Sequence, residues 1–145
     1  MITVDQYFGF YKDCEYVTDE RRQNAILLLH ACSALEYFAV RDGIEFPINP
    51  RTDSNVSGQT YGGFRPQNCT QGAPHSAHKE ALAVDRYDPE GLIDKWCMEH
   101  LDLLETCGIY IEHPSKTEGW SHWLSLIHIS EPTRRHHVSR MPSSA

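Results

Sequence analysis

The stretch SAHKEALAVD, residues 76–85, combines a histidine, a carboxylate and a short apolar run. Residues 82–84 have the length and composition of a buried strand, which places Asp85 at its end and His78 in the loop that enters it. We expect this arrangement to direct two metal ligands toward one point. A catalytic zinc site needs three protein ligands and an open fourth position, so a third ligand has to come from elsewhere in the chain.

Length and composition limit the classes of protein and of partner to be considered. At 145 residues the chain is long enough for one domain with a substantial core. A net charge of -7 argues against a nucleic-acid-binding surface, because phosphate binding needs clustered basic residues. No apolar run is long enough to span a bilayer, and the N-terminal residues lack the segments of a secretory signal. We therefore expect a monomer that is made in the cytoplasm and that needs another route of release to act outside it.

The cysteines point to the same compartment. There are 5, an odd number, and no CxxC pair. In a chain without a predicted secretory signal, this pattern indicates reduced thiols, several of them buried as small apolar residues.

Apolar periodicity and capping residues predict two helices. The first begins at Thr18, continues to about Asp42 and is ended by Gly43. The second begins with Asp88 as its N-cap, followed by a proline that suits the first helical position, and ends at Gly108.

The segments around the helices carry strand and loop signals. Residues 1–17 are predicted to form an irregular arm on the core, and residues 44–48 a short strand that leads into a long loop reaching residue 75. Residues 109–111 and 120–123 have the patterns of further strands. These elements together predict an α+β fold with a small antiparallel sheet and flanking helices.

Several polar residues could complete a metal site around residues 76–85. His122 is the natural third ligand, with Trp120 beside it as a wall. Glu112 and Glu118 are alternatives for the general base that would take a proton from a metal-bound water. Arg65 has the planar donor group that suits a carboxylate or an oxyanion, although its local context alone is typical of a solvated loop arginine.

Three motifs in this order resemble those of a known family, the zinc peptidases of the D-alanyl-D-alanine carboxypeptidase and L-alanyl-D-glutamate endopeptidase group. They are GFRP at residues 63–66, S-x-H-x-x-A-x-A-x-D at residues 76–85, and WSH at residues 120–122. The chain is most similar to the small phage and bacterial members. The resemblance extends over residues 1–123 and is strongest over residues 61–85 and 108–122.

The resemblance implies a hedgehog/DD-peptidase-like fold and a zinc ion held by His78, Asp85 and His122. It also implies that Arg65 steadies the substrate or the tetrahedral intermediate and that Ser76 lines the substrate site. The implied substrate is a peptide of bacterial peptidoglycan that contains D-residues. The alternatives are a catalytically weak cell-wall-binding or phage structural module with the same fold, and a metal protein without hydrolytic activity.

The chain departs from the family pattern at two positions. Ala81 stands where the family often has glycine, which is a mild change. More seriously, many members carry the catalytic carboxylate three residues before the last histidine, and here that residue is Gly119. Glu118 lies one residue further back and Glu112 ends the preceding strand, so either remains a candidate for the base.

The last part of the chain has a different character. Residues 124–134, LSLIHISEPTR, resemble the translation of a transposase sequencing adapter. We therefore expect a peptidase-like domain over residues 1–123, truncated at its C-terminal end, and a non-native read-through tail over residues 124–145. On this interpretation His128, His136 and His137 are not candidates for metal ligands.

Overall fold

The computed structural model describes residues 1–69 and 76–125. The predicted α+β fold with a small antiparallel sheet is confirmed, whereas most of the predicted read-through tail, residues 126–145, lies outside the described residues. The described helices and strands are α1 Val4–Phe8, α2 Asp19–Arg41, β1 Ala83–Tyr87, α3 Leu92–Met98, α4 Leu101–Cys107, β2 Ile109–Ile111 and β3 Trp120–Ser125. Short 3₁₀ turns lie at Gly9–Tyr11, Ala77–Glu80 and Pro114–Lys116. No helix in the described ranges is long and apolar enough to cross a membrane.

Helix α2 forms where the sequence predicts it. The Thr18 hydroxyl oxygen accepts a hydrogen bond from the backbone N–H of Arg21 at 3.2 Å, and Gly43 follows the helix with a φ of 92°. One face of α2 is buried in the main core and contains Ala25, Leu28, Leu29, Cys32, Leu35 and Ala39.

The sheet has the strand order β1-β3-β2, and both pairings are antiparallel. Asp85 lies opposite His122 in the β1–β3 pair, and Val84 lies opposite Trp123. Side chains alternate between the two faces of a sheet, so Asp85 and His122 share one face while Val84 and Trp123 share the other. The second face packs into the main core, where Trp123 is fully buried.

The prediction that residues 1–17 pack on the core is confirmed, but the prediction that this arm is irregular is wrong. Thr3 and Gln6 form a capping box, with the Gln6 N–H donating to the Thr3 hydroxyl at 3.1 Å and the Thr3 N–H donating to the Gln6 side chain at 2.9 Å. This local pattern starts helix α1, which buries Tyr7 and Phe8. The N-terminal segment is therefore an ordered part of the core.

The predicted strand at residues 44–48 is also absent from the described residues. Pro47 has no N–H to donate to a strand ladder, and its carbonyl oxygen accepts a hydrogen bond from the Asn55 side chain at 2.7 Å. The chain instead turns, with an isolated bridge between Asn49 and Ser54.

The strand predicted at residues 82–84 lies further along the chain, at Ala83–Tyr87. Asp85 is therefore in the middle of β1 and not at its end. The N–H of Asp85 donates to the Gly62 carbonyl at 2.7 Å, and the N–H of Tyr87 donates to the Asn55 carbonyl at 2.7 Å. These hydrogen bonds to segments distant in sequence extend the strand through polar residues. The apolar pattern alone therefore did not predict the full length of β1.

The second predicted helix is divided into α3 and α4. The predicted N-cap and the proline at the first helical position are wrong, because Gly91 is the N-cap and α3 begins at Leu92. The Asp88 carboxylate still accepts hydrogen bonds from the N–H groups of Ile93 and Asp94 at 2.9 Å each. At the division, a ring nitrogen of His100 lies 2.7 Å from the carbonyl oxygen of Trp96, and the two rings stack at 4.3 Å. This contact occupies a carbonyl of the preceding turn and accompanies the break.

Candidate metal centre

The three predicted ligands come together on the face of the sheet opposite the main core. Asp85 Oδ1 lies 3.4 Å from His78 Nε2 and 2.7 Å from His122 Nδ1. The ligand atoms of the three residues all lie within 4.8 Å of one another. Both imidazoles are buried, with His78 0% and His122 3% exposed. A buried His–Asp–His group of this kind could hold a metal ion.

The donor geometry and the buried nitrogen atoms fit a metal ligand set. Tetrahedral ligands at about 2.0–2.1 Å from a zinc ion are separated by about 3.3–3.4 Å, which is the separation between His78 and Asp85. Among the described residues, His78 Nε2 is buried and has no hydrogen-bond partner. Leaving such an atom unpaired costs free energy that ligation would offset. The shorter contact between His122 and Asp85 is a hydrogen bond that ligation would replace.

The electrostatics keep Asp85 in its anionic form. Burial by itself would raise the pKa of Asp85, but the charge of His78 and the hydrogen bond from His122 outweigh it and hold the pKa well below its usual range. Asp85 is therefore a carboxylate throughout the neutral range and can serve as an anionic ligand.

The 3₁₀ turn Ala77–Glu80 positions His78. Ser76 is the N-cap of this turn, and its hydroxyl oxygen accepts a hydrogen bond from the N–H of His78 at 3.2 Å. Ser76, which was predicted to line a substrate site, is 1% exposed, and the contact that the structure shows for its hydroxyl group is this one within the turn. Ala81 ends the turn in the left-handed conformation, with a φ of 61°, a backbone conformation that favours glycine.

Arg65 lies beside the ligands. Its N–H donates to the His78 carbonyl at 3.1 Å, and its Nε donates to the Tyr61 carbonyl at 2.8 Å. One terminal nitrogen of the guanidinium group lies 3.5 Å from Asp85 Oδ2, and the side chain is 13% exposed. The alternative of a solvated loop arginine is therefore wrong.

The two candidate bases lie in different places. The N–H of Glu112 donates to the His122 carbonyl at 3.3 Å, which continues the β2–β3 register by one residue beyond the pair of Ile111 and Trp123. Strand alternation then places Glu112 on the same face as His122. Glu118 is exposed in the loop before β3, where it lines a separate cavity together with Lys95.

Trp120 lies on the same face of the sheet as Asp85 and His122. It is two residues before His122 in β3, is half-buried and pairs with Tyr87 of β1. The pair of Trp120 and Tyr87 therefore lies next to the pair of Asp85 and His122 on this face, in the position expected for a wall of the site.

Sequence reasoning missed the backbone groups that support the ligands. The Gly63 carbonyl lies 2.7 Å from His78 Nδ1, and the Gly62 carbonyl accepts a hydrogen bond from the N–H of Asp85 at 2.7 Å. The available signal was the Gly-Gly pair, because adjacent glycines often mark a close approach of backbone segments.

Comparison with known proteins adds no family assignment. No protein-family model matches the chain, and no curated protein and no solved structure shows significant similarity to it. The fold and the site define the protein as an α+β domain with a buried His–Asp–His group that could hold a metal ion.

Proposed function

We propose that the protein is a zinc peptidase of the D-alanyl-D-alanine carboxypeptidase or L-alanyl-D-glutamate endopeptidase type, with a hedgehog/DD-peptidase-like fold. Its substrate would be a D-residue-containing peptide of bacterial peptidoglycan. The observation that carries this proposal is the convergence of His78, Asp85 and His122, three residues of two separate family-like motifs, on one buried point. Arg65, which belongs to the GFRP motif, lies close to Asp85 and supports the proposal.

Zinc is the metal that suits this ligand set best. Two imidazoles and one carboxylate form a set typical of catalytic zinc, with a fourth position left for water or substrate. When bound, zinc lowers the pKa of a coordinated water toward neutrality and polarises the carbonyl group under attack.

Glu112 is the better candidate for the general base. Its backbone N–H pairs with His122, so strand alternation puts its side chain on the same face of the sheet, whereas Glu118 is exposed in a loop. A carboxylate at this position would accept a proton from the attacking water and return it to the departing amine.

Arg65 is suited to hold the anionic parts of the reaction. Its 3.5 Å contact with Asp85 is long for a charge-assisted hydrogen bond, so the guanidinium keeps donors for a further partner. A substrate carboxylate or the developing oxyanion would take those donors, and a fixed donor there stabilises the transition state more than the ground state.

Metal analysis and peptide assays on the same samples test the proposal. The zinc-loaded protein should release D-alanine from a D-Ala-D-Ala peptide or cleave an L-Ala-D-Glu bond, and His78→Ala should lose both zinc and activity. Glu112→Gln should keep its zinc and lose about 10²–10⁴-fold in turnover, whereas Glu118→Gln, the matched control, should retain activity. The reverse result for the two glutamates would exchange their roles.

A second candidate is a catalytically weak module that binds cell wall or serves as a phage structural part. The observation that favours it is Gly119, which occupies the position of the usual family carboxylate and has a φ of 92°. Stoichiometric zinc without turnover of either peptide, together with retention on isolated peptidoglycan, would support this module over the peptidase.

A further inference from the structure

We propose that Gly62 and Gly63 form a positioning element that orients His78 and Asp85 through backbone carbonyl groups, and that Tyr7 holds this element in place. The inference rests on the metal-binding part of the proposed function. It does not depend on whether the site hydrolyses peptides.

The first contact selects the tautomer of His78. The Gly63 carbonyl can only accept a hydrogen bond, and it lies 2.7 Å from Nδ1 of the fully buried His78 ring. Nδ1 must therefore carry a proton, so Nε2 is the ring nitrogen that remains for a metal ion. Nε2 is the atom that lies 3.4 Å from Asp85 Oδ1. The carbonyl thus turns the metal-binding nitrogen toward the other ligands.

The second contact holds the backbone of Asp85. Its N–H donates to the Gly62 carbonyl at 2.7 Å, and its carbonyl accepts from the N–H of Ser57 at 2.8 Å. A neighbouring residue, Arg65, donates its N–H to the His78 carbonyl at 3.1 Å. The segment 62–65 therefore contacts both His78 and Asp85.

Only glycine fits at the two positions. A Cβ atom on Gly63 would lie 2.1 Å from the Tyr7 carbonyl oxygen, and a Cβ atom on Gly62 would lie 2.1 Å from the Ser57 carbonyl oxygen. Both obstacles are backbone atoms, which cannot move aside as the end of a flexible side chain can. A larger residue would push the segment away from the ligands.

Tyr7 is itself fixed on both sides. Its hydroxyl group donates to the Ala83 carbonyl at 2.8 Å, and its own carbonyl accepts from the N–H of Phe64 at 3.3 Å. Tyr7 is 2% exposed, so these bonds are shielded from water. Helix α1 thereby connects the glycine pair to the start of β1, the strand that carries Asp85.

The test compares Gly63→Ala with Gly58→Ala as the matched control. Gly58 has a φ of 72° and no neighbouring atom within 4 Å of a built Cβ, so its replacement adds backbone strain without a collision. Zinc affinity is measured by competition with a chromogenic chelator, and folding by circular dichroism. We expect affinity to fall about 10–100-fold for Gly63→Ala and to stay within about threefold for the control. A folded Gly63→Ala protein with wild-type affinity would overturn the proposal.

An NMR measurement on the wild-type apoprotein decides the matter even if Gly63→Ala does not fold. The ¹⁵N–¹H spectrum of the imidazole groups, assigned with His78→Gln, should show a slowly exchanging proton on Nδ1 of His78. A His78 ring without a proton on Nδ1 would refute the proposed orientation. Failure of the wild type to bind zinc would instead count against the proposed function, since the tautomer is read without metal.

Discussion

Replacing Arg86 by methionine should destabilise the fold strongly. Arg86 is fully buried on the core side of β1, where its guanidinium group donates to Glu36 Oε2 and to Asn55 Oδ1 at 2.7 Å each. The same group lies 4.8 Å from the ring centroid of Phe46 and 4.7 Å from that of Trp123. A methionine would keep part of the contact with the two rings and lose both polar contacts.

The expected loss follows from the partner left behind. Removing one member of a buried, hydrogen-bonded ion pair costs about 3–5 kcal/mol, because the remaining charge stays desolvated. Glu36 is 8% exposed and would keep the terminal ammonium group of Met1, 3.1 Å away, as its charged partner. For a domain of this size the loss corresponds to a fall of about 10–20 °C in Tm.

The pH dependence gives a second signature of the pair. Burial by itself raises the pKa of Glu36, but the charge and hydrogen bond of Arg86 outweigh it, so the pKa is lowered on folding. A lowered pKa contributes stability that is present above the unfolded value, about 4.3, and is lost as the pH falls through the folded value. The difference between wild type and Arg86→Met should therefore narrow below about pH 4.

Urea unfolding of the metal-free proteins at pH 7 and at acidic pH measures both effects. The double variant Glu36→Leu with Arg86→Met is the control, and it should recover part of the lost stability because no buried carboxylate that has lost Arg86 remains. Two results would refute the reasoning: a loss of unfolding free energy below about 1 kcal/mol for Arg86→Met at pH 7, or a difference in unfolding free energy between wild type and variant that does not change with pH. Either result would mean that the buried Arg86–Glu36 pair does not stabilise the fold.

Three further predictions concern the site, the turn behind it and the core. Asp85→Asn should abolish stoichiometric zinc binding, measured by mass spectrometry of metal content, while circular dichroism stays native; retained zinc would exclude Asp85 as a ligand. Asn24→Ala removes the hydrogen bond from its side chain to the Glu80 carbonyl at 3.0 Å and should cost about 1 kcal/mol in urea unfolding; an unchanged midpoint would contradict this. Burial raises the pKa of Cys32 to about 12, so native alkylation at pH 8 should modify the half-buried Cys14 first, and equal rates by peptide mapping would contradict burial.

Local signals in the sequence were sufficient for part of the fold and of the site. Helix α2 has a capping threonine, an apolar face and a terminal glycine, all within one continuous segment, so its bounds were predicted to within a residue or two. His78, Asp85 and His122 were predicted as ligands from the short spacing of the first two and from the resemblance of the three motifs to a known family, and the structure brings the three residues together. The capping box at Thr3 was an equally local signal that was overlooked.

Contacts between segments distant in sequence decided the rest. The sequence left Glu112 and Glu118 as equal candidates, and only the antiparallel register of β2 on β3 placed Glu112 beside His122. Register depends on which side chains the core buries, and no local pattern encodes it.

The backbone groups that orient the candidate ligands also depend on contacts between segments distant in sequence. The carbonyl groups of Gly62 and Gly63 reach Asp85 and His78 because Tyr7 and Ser57 leave no room for a side chain at either glycine. The amino-acid sequence by itself determined which residues can bind a metal ion. The tertiary structure decided how they are oriented, because backbone groups from four separate segments meet only after the chain has folded.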